Sequence, residues 1–188
     1  RRQYPRTGCC TLNLKPRYNK ELDMSKPEPP LPLSWTPELV QKFWDMFALS
    51  PLTFMSFGKQ ISRNLLNIIQ RYLPENACIL DFGGGDGDIA EVLLQAGYEV
   101  AIYENSSERS NNALSKLHSY KNFLGYIHSS NTHKNKFDVI LCFEVLEHIL
   151  EQDIPQAMNN IIHLLKRDGT LLGTIPSNKN CWSDNVFA

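Results

Sequence analysis

The chain has 188 residues, 42% of them hydrophobic and 21% charged, with a formal net charge of −1. That length holds one domain with a real core and leaves room for an additional segment. So mild a net charge excludes a whole-molecule field that would draw in nucleic acid or an anionic membrane, and no apolar run is long enough to span a bilayer.

The first twenty residues carry Arg1, Arg2, Arg6, Lys15, Arg17 and Lys20 and no acidic residue. Aromatic residues are sparse between them, so they read as a solvated tail rather than a nucleic-acid arm. The start has no apolar stretch of the kind a secretory signal carries. The chain opens on Arg rather than Met, so a fragment or a processed product is expected. Residues 1–33 are rich in Pro and polar side chains, and Lys26 to Pro32 reads as an extended polyproline stretch. A helix should follow at once: Thr36 can cap it, Pro37 suits its first position, and Glu38 favours its positive end. Leu39, Val40, Phe43, Trp44 and Phe47 give it an apolar face. Ser50-Pro51 breaks it. A second helix fits Lys59 to Tyr72, and Pro74 ends it.

From Ala77 the pattern changes. Ala77 to Leu80 is a short apolar run, as expected of a central parallel strand buried on both faces. A glycine loop follows, then an amphipathic helix through Ile89, Val92, Leu93 and Ala96, closed by Gly97. Further strands are expected at Glu99–Tyr103, Phe123–Ile127, Phe137–Phe143 and Gly169–Ile175, with helices at Ser107–Leu117 and from Asp153 to Leu165. This alternation predicts an α/β fold with a doubly wound, mostly parallel Rossmann-like sheet. The expected domains are an extended or disordered segment 1–33, an N-terminal helical cap 34–75 and the sheet-bearing core 76–188. Five cysteines, Cys9, Cys10, Cys78, Cys142 and Cys181, form no C-x-x-C pair. Cys78 and Cys142 lie inside apolar runs, where a thiol acts as a small hydrophobe. A reducing, cytoplasmic setting follows, without a disulfide framework or a zinc site.

The glycine loop, Asp81-Phe82-Gly83-Gly84-Gly85-Asp86-Gly87, carries the most chemistry. A strand that enters a helix through a tight turn brings backbone N–H groups to a ligand, and side chains there would block the approach. The dinucleotide fingerprint G-x-G-x-x-G fits poorly, because its third small residue would fall on Asp88. That spacing disfavours a nicotinamide dehydrogenase. The observed spacing, Asp81-x-Gly83-x-Gly85-x-Gly87, resembles the first motif of class I S-adenosylmethionine (SAM)-dependent methyltransferases. Glu104 ends the second strand, where that family places an acid for the ribose hydroxyls; one carboxylate can accept from both. Phe143-Glu144-Val145-Leu146-Glu147-His148 is similar to the E-V-L-E-H segment of the small-molecule branch. Leu164 to Gly169, followed by Thr174-Ile175-Pro176, resembles the family's turn into strand five.

The resemblance implies SAM as cofactor, held by Asp81, Gly83, Gly84, Gly85, Gly87, Glu104, Asn105, Phe143 and Glu144. Phe57, in the break between the two N-terminal helices, is a further expected cofactor contact. Those helices, with Trp35, Phe43, Trp44, Phe47 and Phe54, would form a lid or simply a core face. His148 is the expected catalytic base where the acceptor must lose a proton. The implied activity is methyl transfer to a small-molecule or glycan intermediate, with no membrane or nucleic-acid partner. Two alternatives stay open. One is a non-catalytic methyltransferase-like binding fragment. The other is metal-assisted O-methylation of a quinone precursor or RNA, with Glu144, Glu147 and His148 sharing one helical face around a divalent cation. No fourth ligand stands out, so the main expectation is no metal. Two departures from the family pattern are visible. Tyr126-Ile127-His128-Ser129-Ser130 lacks the usual acid or amide for the adenine amine. The chain also ends soon after strand five, so the family's last strands are expected to be missing, and a partner or further segment would cover the sheet edge.

Overall fold

The computed structural model describes residues 34–127 and 133–176. The expectations for 1–33 and for His128, Ser129 and Ser130 fall outside the described residues. Helix α1 spans Pro37–Leu49; the Thr36 hydroxyl accepts from the Leu39 amide at 3.3 Å, and Pro37 opens the first turn. Ser50 stops it, as the following proline requires, and Pro51–Met55 forms a 3-10 turn. Helix α2 runs over Phe57–Ile69 and tightens into a 3-10 turn at Gln70–Tyr72, two residues earlier at its start than its apolar spacing suggests.

Five strands follow: β1 Cys78–Phe82, β2 Glu99–Tyr103, β3 Phe123–Tyr126, β4 Phe137–Phe143 and β5 Leu165–Thr174. Helices α3 (Asp88–Gln95), α4 (Ser107–Leu117) and α5 (Ile154–Leu164) alternate with them. The sheet order is β3-β2-β1-β4-β5, with every pairing parallel. The expected doubly wound α/β fold with N-terminal helices is therefore the observed one. Among the described residues β5 is an edge strand.

The period-two pattern of the strands sorts side chains to two faces. Ile79, Val100, Ile102, Val139, Leu141 and Phe143 pack toward α2, α3 and α4. Leu80, Ala101, Ile140 and Cys142 pack toward Ile161 and Leu164 of α5. Most of these side chains are fully buried, and each Leu or Ile so placed contributes about 1.5–3 kcal/mol. Helix α2 joins the first core through Leu65 and Ile69. The region expected as a separate helical cap is thus partly welded to the sheet.

Strand five differs from its expected bounds. It begins at Leu165, not Gly169, because Leu165 pairs with Phe137 while Thr170 pairs with Val139. Five steps on β5 stand against two on β4, so three residues bulge out. Asp138 fastens this bulge: its carboxylate accepts from Lys166 at 2.7 Å and from the Cys78 amide at 3.0 Å.

The loop after β1 shows why glycine is required. Gly83 has φ +76°, and a Cβ there would stand 2.5 Å and 2.9 Å from the two methyls of Val145. Both the left-handed backbone and the short, branched neighbour oppose a side chain. Gly83→Ala should therefore lower unfolding free energy by about 2 kcal/mol or more. Urea denaturation checks this; a change within 0.5 kcal/mol would mean that the turn tolerates a side chain.

Candidate active site

In a sheet of this order, β1 and β4 lie side by side while their connections leave in opposite directions. Ligands bind outside the carboxyl ends of strands at such a switch point. A cleft of about 550 Å³ opens there, well within the size range of small-ligand sites. Strand ends supply its floor: Phe82 and Gly83 at the end of β1, Tyr103 and Glu104 at the end of β2, Glu144 and Val145 after β4. Phe82 and Tyr103, paired in register, stack with ring centroids 4.6 Å apart. Helix α1 contributes Val40, Gln41 and Trp44 to one wall, and Asp153, at the N-cap of α5, contributes to another with Gln156 and Asn160 of that helix.

Glu104 is the best-fixed side chain in the cleft. Its Oε2 accepts from the Gly85 amide and its Oε1 from the Ser106 amide, both at 2.9 Å. One carboxylate thus ties β2 to the glycine loop and to the start of α4. Each oxygen keeps a second lone pair for a ligand hydroxyl. Ser106 caps α4 by accepting from the Arg109 amide at 3.2 Å, and its own hydroxyl donates to Asp45 of α1 at 2.6 Å. Asp45 also accepts from the Glu108 amide at 3.3 Å. Helix α1 is therefore latched to the rim of the cleft by a carboxylate at a helix N-terminus, a favourable charge placement.

Asp86, buried within the loop, holds Lys59 of α2 at 3.2 Å and Arg109 of α4 at 3.4 Å. Arg109 also lies under the rings of Trp44 and Phe47, 5.3 Å and 5.9 Å from their centroids. Its guanidinium sits so close to Gly85 that a side chain at Gly85 would strike it. Sequence reasoning missed Arg109. Its signal was the third helical position after the Glu104 corner, which points a long side chain back over the strand ends.

The E-V-L-E-H segment is not an α-helix. Glu144 takes a left-handed backbone at φ +52° as β4 ends, and Leu146–His148 is a single 3-10 turn. The helical face expected to gather Glu144, Glu147 and His148 does not form. Among the described residues no group of His, Cys, Asp and Glu side chains converges as a metal cage. Glu144 and His148 line the cleft, and Glu147 lies half-buried beside them. Burial, together with the neighbouring Glu144 carboxyl, holds the Glu147 carboxyl above the usual range. Burial, then the Arg109 charge, pushes the His148 imidazole down to about 4. The 3.9 Å contact between His148 and Glu147 is therefore not an ion pair at neutral pH, because the imidazole is uncharged there. His148 packs edge-on against Trp44, with ring centroids 4.8 Å apart.

The expected cofactor residues divide into two sets. Gly83, Glu104, Asn105 and Glu144 line the cleft, as does His148. Asp81, Gly84, Gly85 and Gly87 shape the loop without lining it: Gly84 packs on the Asp81 carboxyl, and Gly87, at φ +77°, starts α3. Phe143 does not line the cleft. As an odd-numbered residue of β4 it points into the core below the sheet. Phe57 is also away from the lining; it opens α2 and packs on that same core. Of the expected lid aromatics, Trp44 reaches the cleft while Phe54 points to solvent.

Comparison with known proteins sharpens this geometry. A family model described as a methyltransferase domain matches residues 57–186. The chain belongs to that methyltransferase family. The ubiquinone biosynthesis O-methyltransferase of Haemophilus ducreyi (strain 35000HP / ATCC 700724) is 32% identical over 109 residues, covering 52% of this chain and 44% of its own. The enzyme of the same name from Rickettsia bellii (strain OSU 85-389) is 26% identical over 114 residues, covering 58% and 47%. The chain thus spans about half the length of the curated relatives it matches. Haemonchus contortus phosphoethanolamine N-methyltransferase 1, solved with phosphoethanolamine and S-adenosylhomocysteine, superposes with a TM-score of 0.64 at 14% identity, covering 80% of this chain and 35% of that one. At that identity the likeness is one of fold.

Asp81 gives the chain a pH signature. It is 2% exposed, its Oδ2 has no hydrogen-bond partner among the described residues, and burial followed by the Glu104 charge pushes it up to about 7 from 3.8. The folded chain therefore holds a proton that the unfolded chain releases. The resulting stability is complete below about pH 4 and is lost as pH rises through about 7. His148 acts in the opposite sense: its folded value of about 4 lies below 6.5, so its contribution is complete above 6.5 and lost as pH falls toward 4. Asp81→Asn removes only the first effect. The stability advantage of the natural protein over this variant should be larger at pH 5 than at pH 8. Parallel unfolding free energies across that range would refute a protonated Asp81.

Proposed function

We propose that the cleft binds S-adenosylmethionine and that this chain transfers its methyl group to a small-molecule or glycan acceptor. The observation that carries the reading is Glu104: an ionisable acceptor pinned by two amides at a strand end, facing a cleft whose loop cannot accommodate a Cβ at Gly83. That arrangement suits a vicinal diol on a nucleoside lying along the strand ends. When bound, the cofactor supplies a methyl group on positively charged sulfur, already activated for in-line displacement. The protein's tasks are then to hold donor and acceptor in line and to keep water away. Glu104 would fix the ribose, the Gly83 backbone would admit close approach, and Val40, Trp44, Ile149 and Leu150 would supply the apolar cover.

His148, uncharged at neutral pH, is able to accept a hydrogen bond or a proton from an acceptor hydroxyl at the methyl-receiving end. Its low basicity suits it to orient that hydroxyl and to ease developing charge more than to take the proton outright. The relative from Haemophilus ducreyi, named for O-methylation in ubiquinone biosynthesis, favours a small-molecule hydroxyl among the acceptors. The two free thiols described, Cys78 and Cys142, sit in or beside the core with raised pKa values, in keeping with a reducing, cytoplasmic setting. No described helix is long and apolar enough to cross a membrane. We also assign 34–75 to a helical cap over the cofactor-binding core 76–188.

S-adenosylhomocysteine should raise the melting temperature by roughly 5–10 °C at a hundredfold excess over Kd, and NAD should leave it unchanged. Glu104→Ala should weaken S-adenosylhomocysteine binding by about tenfold or more. A response to NAD alone, or equal affinity in the variant, would refute the reading. Binding without methyl transfer to any of a panel of phenols, amines and sugars would favour the non-catalytic alternative.

A further inference from the structure

Arg109 lines the cleft, yet its side chain is only 14% exposed. A guanidinium carries five N–H donors. Among the described residues Asp86 answers Nε at 3.4 Å, and the donors on the two Nη atoms make no hydrogen bond. Trp44 and Phe47 cover the face of the group, and Gly85 bounds it on another side. Its plane and rotation are thus fixed before any ligand arrives.

The charge is left over as well. Asp86 is shared between Arg109 and Lys59, so the three groups together carry one net positive charge. Glu104 is not paired with it. Both side chains touch Gly85, but no Arg109–Glu104 ion pair forms, because the Glu104 oxygens turn to the amides of Gly85 and Ser106. An acceptor for a diol and a donor fork for an anion therefore stand on the same glycine and remain apart. A single ligand meeting both carries a ribose and an anionic group a few bonds beyond it.

We propose that Arg109 recognises the carboxylate at the amino-acid end of the cofactor, and so sets the preference of this methyltransferase for the intact cofactor over its decarboxylated form. The inference rests on the reading that the cleft binds S-adenosylmethionine. Planar two-point pairing between guanidinium and carboxylate is both stronger and more directional than pairing with an ammonium. Arg109 also sits near enough to His148 to lower its basicity. A bound carboxylate would offset that charge and leave the imidazole a better proton acceptor in the loaded enzyme than in the empty one.

The test is calorimetric titration of the full chain with S-adenosylhomocysteine and with decarboxylated S-adenosylhomocysteine, which keeps the adenosine, the sulfur and the amine. The natural protein should bind the first roughly ten- to hundredfold more tightly. Arg109→Gln should erase that preference through loss of affinity for the carboxylated ligand alone, and Arg109→Lys should retain part of it. If Arg109→Gln weakened both ligands by the same factor, Arg109 would be only a prop for the loop and the inference would fall. An unchanged preference in Arg109→Gln would also overturn it, placing the carboxylate elsewhere and leaving the fork to an anionic acceptor. If the natural protein bound neither ligand, the cofactor reading itself would fail. If it bound both equally, that reading would stand and only the role of Arg109 would be lost.

Discussion

The carboxylate of Glu104 is the fastening on which the rest of the site depends. Two backbone amides from two different segments converge on it, so the glycine loop, the end of β2 and the start of α4 cannot move independently. The loop needs such a fastening. With left-handed glycines at three of its positions, it has more backbone freedom to lose than any other stretch of its length. A charge-assisted hydrogen bond to Gly85 offsets part of that loss at the middle of the turn. The companion bond, from the Ser106 amide, holds the start of α4 at the height where Arg109 can reach over the loop. Site geometry and loop rigidity are in this sense a single property.

Around that fastening three ionisable groups stand away from their usual values. Asp81 is driven toward its neutral form beneath the loop, Glu147 likewise beside Glu144, and His148 is held neutral. Burial leads in each case, and neighbouring charges add to it. Such clustering is common where chemistry occurs and is uncommon in cores that serve packing alone. The left-handed Glu144 belongs to the same pattern. A non-glycine residue in that conformation stores about 1–3 kcal/mol of strain, and here it stands where β4 meets the cleft.

What the sequence disclosed was local. The strands were visible from apolar runs such as Phe137–Phe143, and the loop from Asp81 and its glycines. Glu104 was marked by its place at a strand end, and the match of residues 57–186 to a methyltransferase domain agrees with those signs. What it concealed depended on direction in space. Phe143 and Glu144 are adjacent in the chain, yet Phe143 follows the alternation of β4 into the core, while Glu144, past the strand end with a left-handed backbone, lines the cleft. The spacing of Glu144, Glu147 and His148 implied a shared face only under helical geometry, and a 3-10 turn spreads them differently. The polar composition of α4 did not single out Arg109. Its importance arises from Asp86, Trp44 and Phe47, which come from separate segments. Phe57 was placed by its position in a break between helices, but that break faces α3 and not the cleft.

Helix α1 walls the cleft without burying any of its own residues. Its attachment is the Asp45 latch and a few ring contacts, whereas α2 is rooted in the core through Leu65 and Ile69. Segments with little buried apolar surface open at free energies far below that of global unfolding. The wall can therefore swing out while the sheet, the loop and Glu104 stay in place. Exchange of a spent nucleoside for a fresh one would then require breaking the Asp45 latch and the ring contacts of Trp44 and Phe47, with the sheet and the glycine loop left in place.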